Sequence, residues 1–168
     1  MKKLLHLLFI LIAAAAHAQT QNTAKAFSVG LELGVPTNSI YNVGFGGSGK
    51  AEVPITPDLS LSVTAGYIDF YYKRSLIGNS QSQDPAGYVP IKAGAKYFLG
   101  QSIYVEGEAG TAIETNYSKR NLFAFALGPG FVISTGKHTA VDFGFRYENW
   151  GNGRLRQTAL RVAYRLGW

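Results

Sequence analysis

Val43-Gly44-Phe45-Gly46-Gly47-Ser48-Gly49-Lys50-Ala51 admits two incompatible readings. Gly44, Gly46 and Gly49 satisfy G-x-G-x-x-G, and Gly44 with Gly49-Lys50 satisfies a P-loop except for the hydroxyl expected where Ala51 stands. A phosphate cradle needs a helix to start there, so that its N–H groups and dipole meet the anion. Instead Glu52, Val53 and Pro54 follow, with no helical pattern. Period-two alternation fits better. Val43, Phe45, Ala51 and Val53 share one face, and Gly44, Gly46, Ser48, Lys50 and Glu52 share the other. The stretch is read as a β-strand, roughly 42–53.

The same alternation extends outward in both directions. Phe27 to Val35, Leu59 to Tyr67, Val89 to Tyr97, Ile103 to Ala109, Phe123 to Ile133, Val141 to Tyr147 and Leu160 to Trp168 place large apolar residues at every second position. With the opening stretch this predicts eight strands and an all-β chain. The breaks alternate in length: Pro54 to Asp58, Leu99 to Ser102 and Ser134 to His138 are tight turns. Pro36 to Tyr41, Lys73 to Gly87, Ile113 to Asn121 and Asn149 to Arg156 are the longer, polar connections. An even number of antiparallel strands with short turns at one end and longer loops at the other predicts a transmembrane up-and-down β-barrel, the short turns periplasmic and the loops extracellular. A mean hydropathy of +0.02 agrees, because alternation averages to near zero.

A soluble eight-stranded barrel also alternates, with its apolar set inside. Face content separates the two. Gly30, Gly34, Gly66, Gly94, Gly110, Gly128 and Gly144 lie on the polar face, as a crowded lumen requires. The apolar face carries no charge except Asp69, as lipid demands, since Lys or Arg at mid-bilayer costs about 2–4 kcal/mol. On the polar face Glu32, Glu52, Glu106, Glu108, Asp142 and Glu148 oppose Lys50, Lys92, Lys96, Arg146, Arg161 and Arg165. Six acids against six bases predict an ion-pair network that plugs the barrel, because charges leave water only when paired. No open diffusion pore is expected.

Aromatic residues gather near strand ends: Tyr41, Tyr67, Phe70, Tyr71, Tyr72, Tyr88, Tyr117, Tyr147 and Trp150 on the long-loop side, and Phe27, Tyr97, Phe98, Tyr164 and Trp168 on the other. They predict two interfacial girdles. Pro129 cannot donate to a ladder and predicts a bulge around Gly128 to Gly130.

The 168 residues bound the chain to one domain. Lys2-Lys3, the apolar Leu4 to Ala16 interrupted by His6, and Ala16-His17-Ala18 form an export signal, giving a leader at 1–18 and a barrel domain at 19–168. Without Lys2 and Lys3, fourteen basic residues face ten acidic ones, a net charge of +4 that is too mild and too dispersed for a nucleic-acid binder. There is no Cys, which leaves no lipoprotein anchor and no disulfide framework.

Segments 90–100 (PIKAGAKYFLG), 104–110 (YVEGEAG), 125–133 (FALGPGFVI), 141–150 (VDFGFRYENW) and 159–168 (ALRVAYRLGW) resemble the small outer-membrane β-barrel domain proteins of Gram-negative bacteria, the OmpA/OmpX-like group, barrel domain only. The resemblance implies residence in the cell outer membrane as a monomer, in contact with outer-membrane lipids and lipopolysaccharide. It also implies insertion by the barrel-assembly machinery, with Tyr164, Leu166 and Trp168 as the assembly signal, Trp168 standing where the family more often has Phe.

Some small barrels of this membrane are enzymes. Hydrolysis needs a base beside its nucleophile, and the one His beyond the leader, His138, sits in a tight turn with no Ser or carboxylate partner in view. The relatives that deacylate lipid A carry a His-Ser pair near the last strands, and RYENWGNG (146–153) has neither residue. No His/Cys cluster suits a metal, and no cofactor is expected. Basic pairs stand in three long loops: Lys73-Arg74, Lys119-Arg120, and Arg154 with Arg156. Their donors match the phosphates of lipopolysaccharide. The reading is a closed-lumen barrel, not an enzyme, with a structural or surface-interaction role. The alternative is a small-solute carrier, porin-like, or a lipid-A-modifying enzyme.

Overall fold

The computed structural model describes residues 25–37, 39–77 and 83–168. The expected leader, 1–18, lies outside the described residues. Eight antiparallel strands follow one another around a ring: β1 (Ala26–Thr37), β2 (Tyr41–Pro54), β3 (Leu59–Tyr72), β4 (Ala86–Phe98), β5 (Ile103–Glu114), β6 (Asn121–Ser134), β7 (Thr139–Trp150) and β8 (Leu155–Gly167). Pairing of β1 with β8, from Ala26 opposite Gly167 to Thr37 opposite Arg156, closes the barrel. One short helix among the described residues, α1 (Arg74–Ile77), interrupts the long connection from β3 to β4.

Neighbours in sequence are neighbours in space because the turns allow nothing else. Residues 55–58, 99–102 and 135–138 are four-residue links at one end. Each is locked by a backbone bond across its base: Ile55 N–H donates to Leu59 O (2.8 Å), Leu99 to Ile103 O (2.8 Å) and Thr135 to Thr139 O (2.9 Å). The two longer connections, 73–85 and 115–120, lie at the other end, but 38–40 and 151–154 there are links of three and four residues, because β1, β2, β7 and β8 run on through much of Pro36 to Tyr41 and Asn149 to Arg156, which the sequence reading takes as longer connections.

In β2 the alternation of the opening stretch becomes inside and outside. Lys50 is 1% exposed and Phe45 51%, so the glycine-rich segment is a strand with its polar face turned into the barrel. Gly44 and Gly130 are there for close approach: a Cβ on Gly44 would lie 2.5 Å from Phe70 Cε1, and one on Gly130 would lie 2.6 Å from Phe143 O and collide with the Tyr104 ring. Outside, Val29, Leu31, Leu61, Val63, Ile91, Phe125 and Tyr164 belong to an apolar wall. Asp69 interrupts it, and the Tyr67 hydroxyl donates to its carboxylate at 2.9 Å.

Two features differ from the sequence reading. The bulge expected at Gly128 to Gly130 is not formed: Leu127 faces Tyr147 and Gly130 faces Gly144 in one unchanged register. The β6–β7 ladder lapses across Gly128 and Pro129, while Pro129 stays paired with Val105 on its other side. A missing donor interrupts a ladder without demanding an extra residue. Pro90 behaves alike, between Ile91 opposite Ala65 and Tyr88 opposite Ile68. A register shift lies instead at the start of β2, where Tyr41 faces Tyr72 but Val43 faces Tyr71. The extra residue, Asn42, turns Tyr41 inward.

Candidate functional site

The lumen is filled in layers. Nearest the short turns Phe98, Tyr104, Val132 and Ala140 pack together, with Phe98 and Tyr104 edge to face at 5.7 Å. Above them lie the charges. Lys96, fully buried, bridges Glu52 (2.6 Å) and Asp142 (2.9 Å), and Arg165 reaches Glu52 at 3.0 Å. The Lys96 ammonium also sits 4.1 Å from the centroid of Tyr104, whose hydroxyl donates to Asp142. A second chain of pairs continues upward. Glu106 meets Lys50 (2.5 Å), Lys50 meets Glu108 (3.2 Å), Glu108 meets Lys92 (3.3 Å) and Lys92 meets Glu148 (2.8 Å). Arg146 joins Glu148 (3.1 Å) to Glu32 (2.5 Å), and Arg161 ends the chain 3.5 Å from Glu32.

All twelve predicted lumen charges are in this network, and each part balances: two acids with two bases below, four with four above. Such burial is tolerable only when the remaining lone pairs and protons are also met. Neutral inward side chains meet many of them. Ser48 donates to Glu32 (2.5 Å), Ser62 to Glu106 (3.0 Å), Thr64 to Glu108 (2.5 Å) and Gln157 to Glu148 (2.9 Å), while Arg161 donates to Ser48 (2.9 Å) and Ser28 (3.0 Å). Charge counting misses these residues; their signal is the inward phase of the strand that carries them. A pocket of about 20 Å³ beside Glu148 and Gln157 has room for about one water.

An aromatic layer caps the charges at the long-loop end, and it corrects the girdle reading. Phe70, Tyr88 and Trp150 are buried inside, with Trp150 T-shaped against Phe70 (5.7 Å) and tilted against Tyr88 (5.6 Å). Tyr41 joins them, and Phe98 is likewise internal at the other end. Tyr67, Tyr71 and Tyr147 on one rim and Phe27, Tyr97, Tyr164 and Trp168 on the other do face outward. Half the long-loop belt is a stopper: strand ends place aromatics at membrane depth on both faces, and only the phase tells which.

The six basic residues of the long-loop side sit around one rim but on different elements. Lys73 precedes α1 and Arg74 begins it, Lys119 and Arg120 end the β5–β6 loop, and Arg154 ends the β7–β8 turn. Arg156 lies within β8 rather than in a loop, on its outer face opposite Thr37 and Asn149. Among the described residues none of the six makes an ion pair, in contrast to each of the twelve network charges. Arg120 and Arg154 also border a cup of about 460 Å³ above the aromatic layer, lined by Tyr41, Tyr72, Tyr88, Tyr117 and Glu114. The described residues hold no metal-binding cluster of three or more His, Cys, Asp or Glu.

A closed antiparallel ring with an apolar outside and a paired, polar inside is a membrane-spanning β-barrel. The family of the outer membrane protein beta-barrel domain matches residues 6–165, and the chain belongs to it. It is therefore an outer-membrane protein. Among solved structures it is similar to Ail, the attachment invasion locus protein of Yersinia pestis, at a TM-score of 0.56 and 14% identity over 85% of this chain and 99% of that one. Ail in complex with the heparin analogue sucrose octasulfate matches at 0.55 and 14%, over 84% and 97%. OprG from Pseudomonas aeruginosa matches at 0.53 and 10%, over 89% and 96%. No curated protein sequence matches the chain significantly.

Proposed function

We propose that this barrel works at the cell surface rather than as a conduit or an enzyme, and that its basic rim contacts the phosphates of lipopolysaccharide. The observation that carries the reading is the contrast between the two sets of charges. Each of the twelve network charges is paired, while Lys73, Arg74, Lys119, Arg120, Arg154 and Arg156 stand unpaired among the described residues at the long-loop end. Short turns mark the periplasmic end of such barrels, so this rim faces outward, where lipid A phosphates lie. Guanidinium and ammonium donors suit phosphate oxygens, and Arg156 on the outer wall stands where a lipid headgroup would pass. Ail in complex with sucrose octasulfate offers a polyanion on the same fold.

Neutralising all six residues to Gln is expected to strip most co-purifying lipopolysaccharide from the barrel while leaving heat-modifiable gel migration intact. Lipid content equal to the parent's would refute the contact. Lipid A mass spectra identical with and without the protein are expected on the non-enzymatic reading, and a protein-dependent mass change would replace it with the enzymatic one.

A further inference from the structure

The cup at the mouth of the barrel carries chemistry that neither the rim nor the lumen uses. Its walls are tyrosines set at steep angles to one another: Tyr41 and Tyr72 lie 4.9 Å apart at 50°, and Tyr72 and Tyr117 lie 6.3 Å apart at 89°. Tyr88 closes the floor, its hydroxyl 3.4 Å from that of Tyr41. Glu114, the last residue of β5, borders this box and is 8% exposed. Its backbone N–H donates to Arg120 O at 2.9 Å, but its carboxylate makes no hydrogen bond or ion pair with any described residue. Every other acid in the barrel interior is paired, so Glu114 is the exception.

An unpaired carboxylate that opens into the cup attracts a cation, and ring faces attract the same cation. A small hard metal ion would need several oxygen ligands, where the cup offers one carboxylate among phenols. A primary ammonium is strongly hydrated and would have to exchange water for acceptors on all three N–H groups. A quaternary ammonium needs none, sheds its weak hydration readily and fits aromatic faces. Arg120 and Arg154 border the same cup, so an anion attached to that cation would also find partners.

We propose that the cup binds a zwitterion of the phosphocholine class, its quaternary ammonium against Glu114 and the tyrosine faces and its phosphate toward Arg120 and Arg154. The cup shares Arg120 and Arg154 with the rim, whereas Glu114 and the tyrosines belong to the cup alone, so substitutions at Glu114 and Tyr117 test the cup without touching lipopolysaccharide contact. The test uses the barrel in phosphatidylglycerol nanodiscs, free of choline headgroups, titrated with choline and with phosphocholine by calorimetry and intrinsic fluorescence. Both ligands saturate, phosphocholine more tightly. Glu114→Gln and Tyr117→Ala each weaken both by about tenfold. Arg120→Gln with Arg154→Gln brings phosphocholine down to the choline value and leaves choline unchanged. Binding of the nanodisc-held barrel to phosphatidylcholine vesicles, with phosphatidylglycerol vesicles as control, marks a lipid-borne headgroup; capture of free phosphocholine alone marks the soluble compound. Absence of saturation by choline overturns the proposal, as does unchanged affinity in a Glu114→Gln barrel that still shows heat-modifiable migration.

Discussion

Lys96 shows how much one side chain is asked to do. It has two carboxylates on its ammonium and an aromatic face beside it, and no water contact. Removing one partner of a buried pair leaves an uncompensated charge, typically a loss of about 3–5 kcal/mol. Lys96→Met should cost about that much in urea unfolding from lipid vesicles followed by tryptophan fluorescence. Lys96→Met with Asp142→Asn leaves Glu52 and Arg165 as a balanced pair, and is expected to recover most of the loss. A double variant no more stable than the single would show that the charge balance is not what holds this layer. The twelve charges were legible because each lies in phase with its strand. The inward aromatics were half legible. Phe70, Tyr88, Phe98 and Trp150 also lie in the inward phase, so alternation carried to the strand ends assigns them; composition near the ends pointed to girdles and prevailed. Tyr41 was hidden by Asn42, since a shift of one residue reverses the phase and nothing in the local sequence announces it.

At the scale of the strand, β8 closes the ring, and the resemblance implies that its end also guides assembly. It supplies one side of the closing ladder and ends in outward Tyr164, Leu166 and Trp168, with Trp168 67% exposed. Exposed aromatics at the end of a strand have little to hold inside the barrel, so their loss should spare stability and harm insertion. Tyr164→Ala with Trp168→Ala is expected to reduce the heat-modifiable form in outer-membrane fractions severalfold, while the purified variant still folds into vesicles. Equal incorporation in cells would remove the assembly role from these residues. Strand number, turn position and inward face were all legible from period two. The effect of proline was not: Pro90 and Pro129 each remove a donor in mid-strand, and whether a ladder lapses or bulges depends on what the neighbouring strand can accommodate.

For the whole molecule, the layers give the lumen its behaviour. Aromatic packing at both ends encloses a paired charged centre, and the pocket beside Glu148 and Gln157 has room for about one water. In planar bilayers the barrel should show no steady single-channel conductance; a stable unitary current would demonstrate a route through the plug. The cup was illegible because it is assembled from the ends of β2, β3, β4, β5, β6 and β8 and from the β1–β2, β5–β6 and β7–β8 connections, which no local spacing connects.

The pairing of β1 with β8 also imposes an order of events. Seven of the eight strand contacts join neighbours along the chain, five of them across links of three or four residues, whereas the last joins segments separated by roughly 120 residues. Closing a loop that long rather than a four-residue one costs about 3 kcal/mol more in chain entropy. Hairpins that zip in sequence shorten that distance step by step, which makes the seam the natural final event. Until it forms, the growing sheet has a bare hydrogen-bonding edge on each side, free to pair with any other strand. Nascent chains of this protein are therefore adhesive toward one another up to the moment of closure, and inert at their edges after it.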